Sequence, residues 1–159
     1  MAKFGTDKGE SLSIKIEDNS ELVGEALKTA VDKSLMYMGT TAVRYVVEYM
    51  SQVDFTGRDI VDTGRLRGSI SFATYSTALG LNNTATSYNT QSDALTIKPN
   101  DMNKVIVGTN VEYATDVEYG KMNSNGKMTL GRYYLRNGIQ NSIAEIEEGV
   151  KNILKGGSL

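Results

Sequence analysis

The residues best placed to do chemistry are Asp62, Thr63 and Gly64, which follow two apolar residues, Ile60 and Val61. An acid carried on a glycine turn between apolar flanks can, when two subunits pair, place two carboxylates together so that they share one proton. A second ingredient of such a site, an apolar run ending in glycine, follows downstream as Val105-Ile106-Val107-Gly108. Arg65 argues against this reading. A guanidinium beside the pair would depress both carboxylate pKa values and oppose proton sharing. The plainer reading is a turn in which Asp62 or Thr63 bonds local backbone and Gly64 takes an unusual backbone angle.

Other chemistries fall on composition. The chain has no Cys and no His, so disulfides, thiolate nucleophiles, His-based triads and His/Cys zinc sites are all excluded. Glu112, Asp116 and Glu118 form an acidic group, but on a helical turn only some of them share a face, which suits a solvated surface better than a metal site. Met36, Met38 and Met50 read as helix core or gap filling, not as a cofactor box. No cofactor, metal or catalytic residue is assigned. An aspartic-protease-like enzyme using Asp62 stays as the enzymatic alternative, and a generic oligomeric binding module as the other.

The elements that must position these residues follow from periodicity. Residues 1–10 are polar and glycine-containing, and read as a flexible arm. Leu12, Ile14 and Ile16 alternate on one face of a short strand. Asp18 to Glu21 carry helix-start chemistry. From about Ser20 to Val53 the three/four spacing of Leu35, Met38, Ala42, Val46, Tyr49 and Val53 predicts helix, either two helices or one long helix bent at Gly39. Residues 54–65 read as a loop, Leu66 to Tyr75 as a strand, and 76–92, rich in Ser, Thr and Asn, as a polar loop insertion. Ala94 to Lys98 is a short strand candidate. Lys104 to Thr109 is a β-branched run expected to be covered on both faces. Val111 to Tyr119 should make a short helical turn ended by Gly120. Tyr133 to Leu154 should form the terminal helix, with Leu135, Ile139, Ile143 and Ile146 in its core stripe, and 155–159 a flexible tail.

The 159 residues suit one α+β domain over 11–154. The expected fold is a three- to four-stranded, mainly antiparallel sheet packed by a long, kinked or paired N-terminal helix and a long C-terminal helix. Lys and Arg total 17 against 19 Asp and Glu, a net charge of −2, so no global basic footprint for gripping DNA is present. A mildly acidic protein can still surround a duplex, because weak repulsion lets it slide. No apolar run is long enough to span a bilayer, and Met1 to Gly5 lack the apolar stretch of a signal peptide.

Read more widely, several blocks form a series: Val61-Asp62-Thr63-Gly64-Arg65-Leu66-Arg67, then Val107-Gly108-Thr109 leading to Tyr113-Ala114, then Val117-Glu118-Tyr119-Gly120, and last Tyr133-Tyr134-Leu135 opening the final helix. In order and spacing the series resembles the small tail-completion, or head–tail joining, proteins of tailed phages, the minor tail protein Z type of lambda-like phages. The resemblance covers roughly 11–154. It departs from the family at Ile60-Val61 and Gly131-Arg132, where family members often carry proline, and in the enlarged loop 76–92. What it implies is a structural virion protein of the neck. Such a protein forms a homo-oligomeric, hexameric ring that completes the tail around the DNA channel, with the head–tail connector or stopper and the tail terminator as neighbours. Genomic DNA would pass through without sequence-specific binding, no membrane would be involved, and assembly would occur in the host cytoplasm. On this reading Asp62, Thr63, Arg65, Arg67, Tyr113, Glu118 and Tyr119 are candidate subunit or partner contacts. Arginines could bridge to carboxylates and tyrosines anchor an interface. The same arginines suit solvated charges flanking a strand, and the tyrosines suit packing of the short helix.

Overall fold

The computed structural model describes residues 20–52, 64–76 and 93–156. The expected strand at 11–16, the arm 1–10, most of the loop 76–92, and Asp62 and Thr63 lie outside the described residues. The order is α1 (Ser20–Met50), α2 (Arg65–Ser69), β1 (Ser71–Thr74), β2 (Val105–Gly108), α3 (Ala114–Tyr119), β3 (Gly120–Met122), β4 (Met128–Leu130) and α4 (Tyr134–Leu154). This is an α+β fold with two long helices. Its antiparallel strands form two separate ladders, β1 with β2 and β3 with β4.

The 31 residues of α1 form one uninterrupted helix, so the single-helix alternative holds. Gly39 does not break it; a side chain there would run into the ring of Phe72 on β1. The missing Cβ lets the ladder sit directly on the helix. Val43, Val46 and Met50 of α1, Leu66, Ile70 and Phe72 of the α2–β1 unit, and Val111, Ala114 and Tyr134 form the core.

The packing of α4 on α1 differs from the expected apolar stripe. The buried residues of α4 are Tyr134, Gly138, Ser142, Gly149 and Ile153. A Cβ at Gly138 would lie 2.5 Å from Val46 Cα, and one at Gly149 would enter the Tyr37 ring. Small residues recurring at helical spacing thus bring the two helices close. Leu135 and Ile139 pack on the edge of the core, whereas Ile143 is 48% exposed. Ile143 is therefore a surface residue, because close approach of the backbones turned the small-residue face inward, while Leu135, Ile139 and Ile146 stay half-buried beside it.

A charged clasp sets the register of the pair. Glu145 on α4 accepts from Arg44 Nη2 at 2.6 Å, from Tyr45 OH at 2.9 Å and from Tyr37 OH at 3.5 Å. The Arg44 bond, then the Tyr45 bond, holds the Glu145 carboxyl below its usual range.

The expected strand from Leu66 to Tyr75 is half helix. Arg65–Ser69 make a helical turn that starts after Gly64 at φ 77°, and only Ser71–Thr74 are strand. The reason is the neighbouring segment. Leu95 N–H donates to Ser71 Oγ, and the Ser69 and Thr109 hydroxyls meet at 2.5 Å while Thr109 donates to Asp93 O. The buried Ser71 satisfies the Leu95 amide, and the buried Ser69 bonds Leu66 O and the Thr109 hydroxyl, instead of either facing water. Ala94 to Lys98 runs as irregular chain, not as a strand. The run Val105–Val107 is half-buried, not covered on both faces.

Candidate assembly interface

The sequence-predicted contacts occupy three situations. Arg65, at the start of α2, is committed within the chain. Its Nε and Nη2 donate to the two carboxylate oxygens of Asp93 at 2.8 and 2.7 Å, and Nη1 reaches Glu112 Oε1 at 2.8 Å. The guanidinium also lies 5.8 Å from the Tyr113 ring centroid. The Asp93 side chain is 5% exposed, so Arg65 neutralises a buried carboxylate through a bidentate fork. These bonds, to Asp93 first and Glu112 second, raise the Arg65 pKa further above its already high value. The bond from Arg65 holds the Glu112 carboxyl below its usual range. Arg65 thus joins α2, the 93–95 segment and the start of α3, and Tyr113 packs against the core beside it.

Glu118 is turned inward. It is buried, and its oxygens accept from Leu135 N–H at 2.9 Å and Arg136 N–H at 3.2 Å. Its backbone carbonyl accepts from Tyr133 N–H at 3.0 Å. Tyr133, at the N-cap of α4, has φ 50° and makes no side-chain cap. Glu118 fills that role from α3, placing negative charge where the first amide donors of α4 lack helical partners. It is a cap, not a surface contact.

Arg67 and Tyr119 face outward. Arg67 donates to Ser51 Oγ at 3.2 Å, and Tyr119 is exposed. Tyr119 leads into an element that periodicity alone did not single out, the hairpin β3–β4. Its turn closes with Asn123 N–H to Lys127 O at 2.9 Å and Gly126 N–H to Asn123 O at 2.9 Å, Gly126 taking φ 75°. In the ladder Met122 faces Met128 and Gly120 faces Leu130, so Met122, Met128 and Leu130 lie on one face by the two-residue alternation. All three are exposed, Met122 at 67% and Leu130 at 64%. The signal that could have found it is the Met-x5-Met-x-Leu spacing around Asn125-Gly126.

A second bare apolar region lies on α1. Every residue from Ser20 to Thr29 is exposed, including Leu22, Val23 and Leu27. The two regions are at opposite ends of the molecule. The hairpin directly precedes α4, whose first turns pack near Val46, whereas Leu22 lies 24 residues earlier on α1, about 36 Å along the helix axis.

Among the described residues no group of three or more Asp or Glu side chains is arranged to hold a metal, and the buried Ser34, Ser69, Ser71 and Ser142 bond backbone. No helix among the described residues is long and apolar enough to cross a membrane. No protein-family model, no curated protein and no solved structure matches the chain.

Proposed function

We propose that this chain is a structural, non-enzymatic subunit of a tailed-phage neck, forming a ring that completes the tail and joins it to the head connector around the DNA channel. The observation that carries the reading is the distribution of bare apolar side chains. Large residues stand exposed on two elements at opposite ends, the hairpin and the first turns of α1. Among the described residues, Arg65, Glu118 and Glu145 are engaged in holding the fold. Contiguous exposed apolar surface marks contact with other macromolecules, and a contact at each end suits a subunit placed between two neighbours. The ordered motif series supports the phage reading, and the net charge of −2 suits a collar through which DNA slides. In this role the protein would reside in the virion and assemble in the host cytoplasm with connector, stopper and terminator neighbours.

The test is native mass spectrometry of the purified chain, with electron microscopy after mixing with isolated tail tubes. A discrete closed ring that caps tube ends is expected. A chain that stays monomeric at high concentration and ignores both tube ends and connector rings would refute the proposal. A peptide-library digestion lost on Asp62→Asn would restore the protease reading.

A further inference from the structure

We infer that the subunit contact is heterologous: the β3–β4 hairpin of one copy docks on the N-terminal half of α1 of the next. The inference rests on the ring reading and specifies its contact. Three observations carry it.

The shapes are complementary. Beside the N-terminal half of α1 lies an open groove of about 500 Å³ between the helix and the far end of the β1–β2 ladder, with Leu27, Val31, Tyr75 and Met102 supplying its apolar wall. The hairpin presents two flexible methionines side by side at its bare face. Unbranched methionine adapts to irregular apolar gaps. A two-stranded hairpin is marginal alone, so covering this face would also stabilise it.

The charges select unlike ends. Residues 120–131 contain Lys121 and Lys127 and no acid, whereas the first turns of α1 carry Glu21 and Glu25, with Lys28 and Asp32 following at the groove wall. Lys121 pairs at 2.7 Å with Asp116 of its own chain. Lys127, at the turn, has no carboxylate partner among the described residues. Hairpin against hairpin would set like charges together, while the hairpin lysines can meet Glu21 and Glu25 on the first turns of α1. A symmetric dimer through the hairpins is therefore disfavoured, and the head-to-tail arrangement that generates rings is favoured.

The extent is adequate. Covering Tyr119, Met122, Met128 and Leu130 on one copy with Leu22, Leu27, Tyr75 and Met102 on the next would remove roughly 1,000 Å² from water, near the lower bound of stable interfaces. Their separation along α1 keeps one chain from satisfying both patches itself.

A charge swap and a mapping experiment on the full chain test this. Lys127→Glu and Glu25→Lys should each weaken self-association about tenfold, and the two together should recover most of it. Unchanged association in both single variants, or no recovery in the double variant, overturns the contact. In a sample mixing two isotopic labels, a photoreactive side chain at position 27 should attach to 119–130 of the other label. Adducts confined to 1–19 or 77–92 of the same label would show that the chain covers its own groove, and would overturn the inference. Adducts on position 27 of another copy would do the same in favour of a symmetric dimer. Expected adducts in a protein that binds no tail tube would overturn the neck reading alone. Tube-end capping unaffected by either charge reversal, with association also unaffected, would overturn the contact alone.

Discussion

Replacing Gly138 by alanine tests the packing of α1 on α4 most directly, because local and tertiary effects have opposite signs. In an exposed helix the change favours folding by about 1 kcal/mol, since glycine gives up more backbone freedom on ordering. At Gly138 the new Cβ would stand 2.5 Å from Val46 Cα, 2.7 Å from Val46 Cγ2 and 2.9 Å from Val46 N. Two of these atoms are backbone, so no rotamer change relieves the clash and the helices must separate. Overpacking of this kind costs about 1–3 kcal/mol, with the upper end or beyond expected where backbone is struck. The net result is destabilisation by about 2 kcal/mol, which for a chain of this size lowers Tm by roughly 4–8 °C. Gly24, on the bare part of α1 with nothing within 4 Å of the added Cβ, is the control. Gly24→Ala should gain about 1 kcal/mol and raise Tm by roughly 2–4 °C. Both variants and the parent are melted by circular dichroism at a protein concentration low enough to keep the chain monomeric, because Gly24 borders the proposed contact. If Gly138→Ala melts at or above the parent, the helices do not meet at this face.

Other outcomes follow from the same geometry. Glu118→Ala removes two bonds to the first amides of α4, and should cost about 1–2 kcal/mol in denaturant titrations, with amide exchange rising first at residues 134–137. Glu145→Gln should destabilise at neutral pH. The folded Glu145 pKa lies below its unfolded value, held there by Arg44 and then Tyr45. Its contribution is thus present above the unfolded pKa and lost as pH falls through the folded one. The difference in Tm between variant and parent should therefore shrink as pH drops below the usual carboxylate range, and a constant gap from pH 7 to pH 3 would contradict the clasp. Ile143→Ala should cost roughly 1 kcal/mol or less, whereas Ile70→Ala, at a fully buried position, should cost about 2–5 kcal/mol; equal losses in urea melts would reverse the assignment of the α4 faces.

What the sequence determined by itself is local. Three/four spacing marked α1 and α4 almost to their ends, because a helix needs only its own backbone and one apolar side. The Asn-Gly turn and Gly120 likewise specify backbone angles that few other residues accept. Tertiary structure decided what local rules cannot rank. Leu135, Ile139, Ile143 and Ile146 form the stronger apolar stripe, yet the small face of Gly138, Ser142 and Gly149 packs inward, because close approach depends on what the partner helix presents. Ser69 and Ser71 look like the wet side of a strand, but a neighbouring segment whose amide and hydroxyl needed partners buried them. Arg65 and Glu118 read equally well as surface charges; only the fold brings Asp93 to the one and the uncapped start of α4 to the other. Proximity across tens of residues fixes those roles, and spacing along the chain carries no record of it.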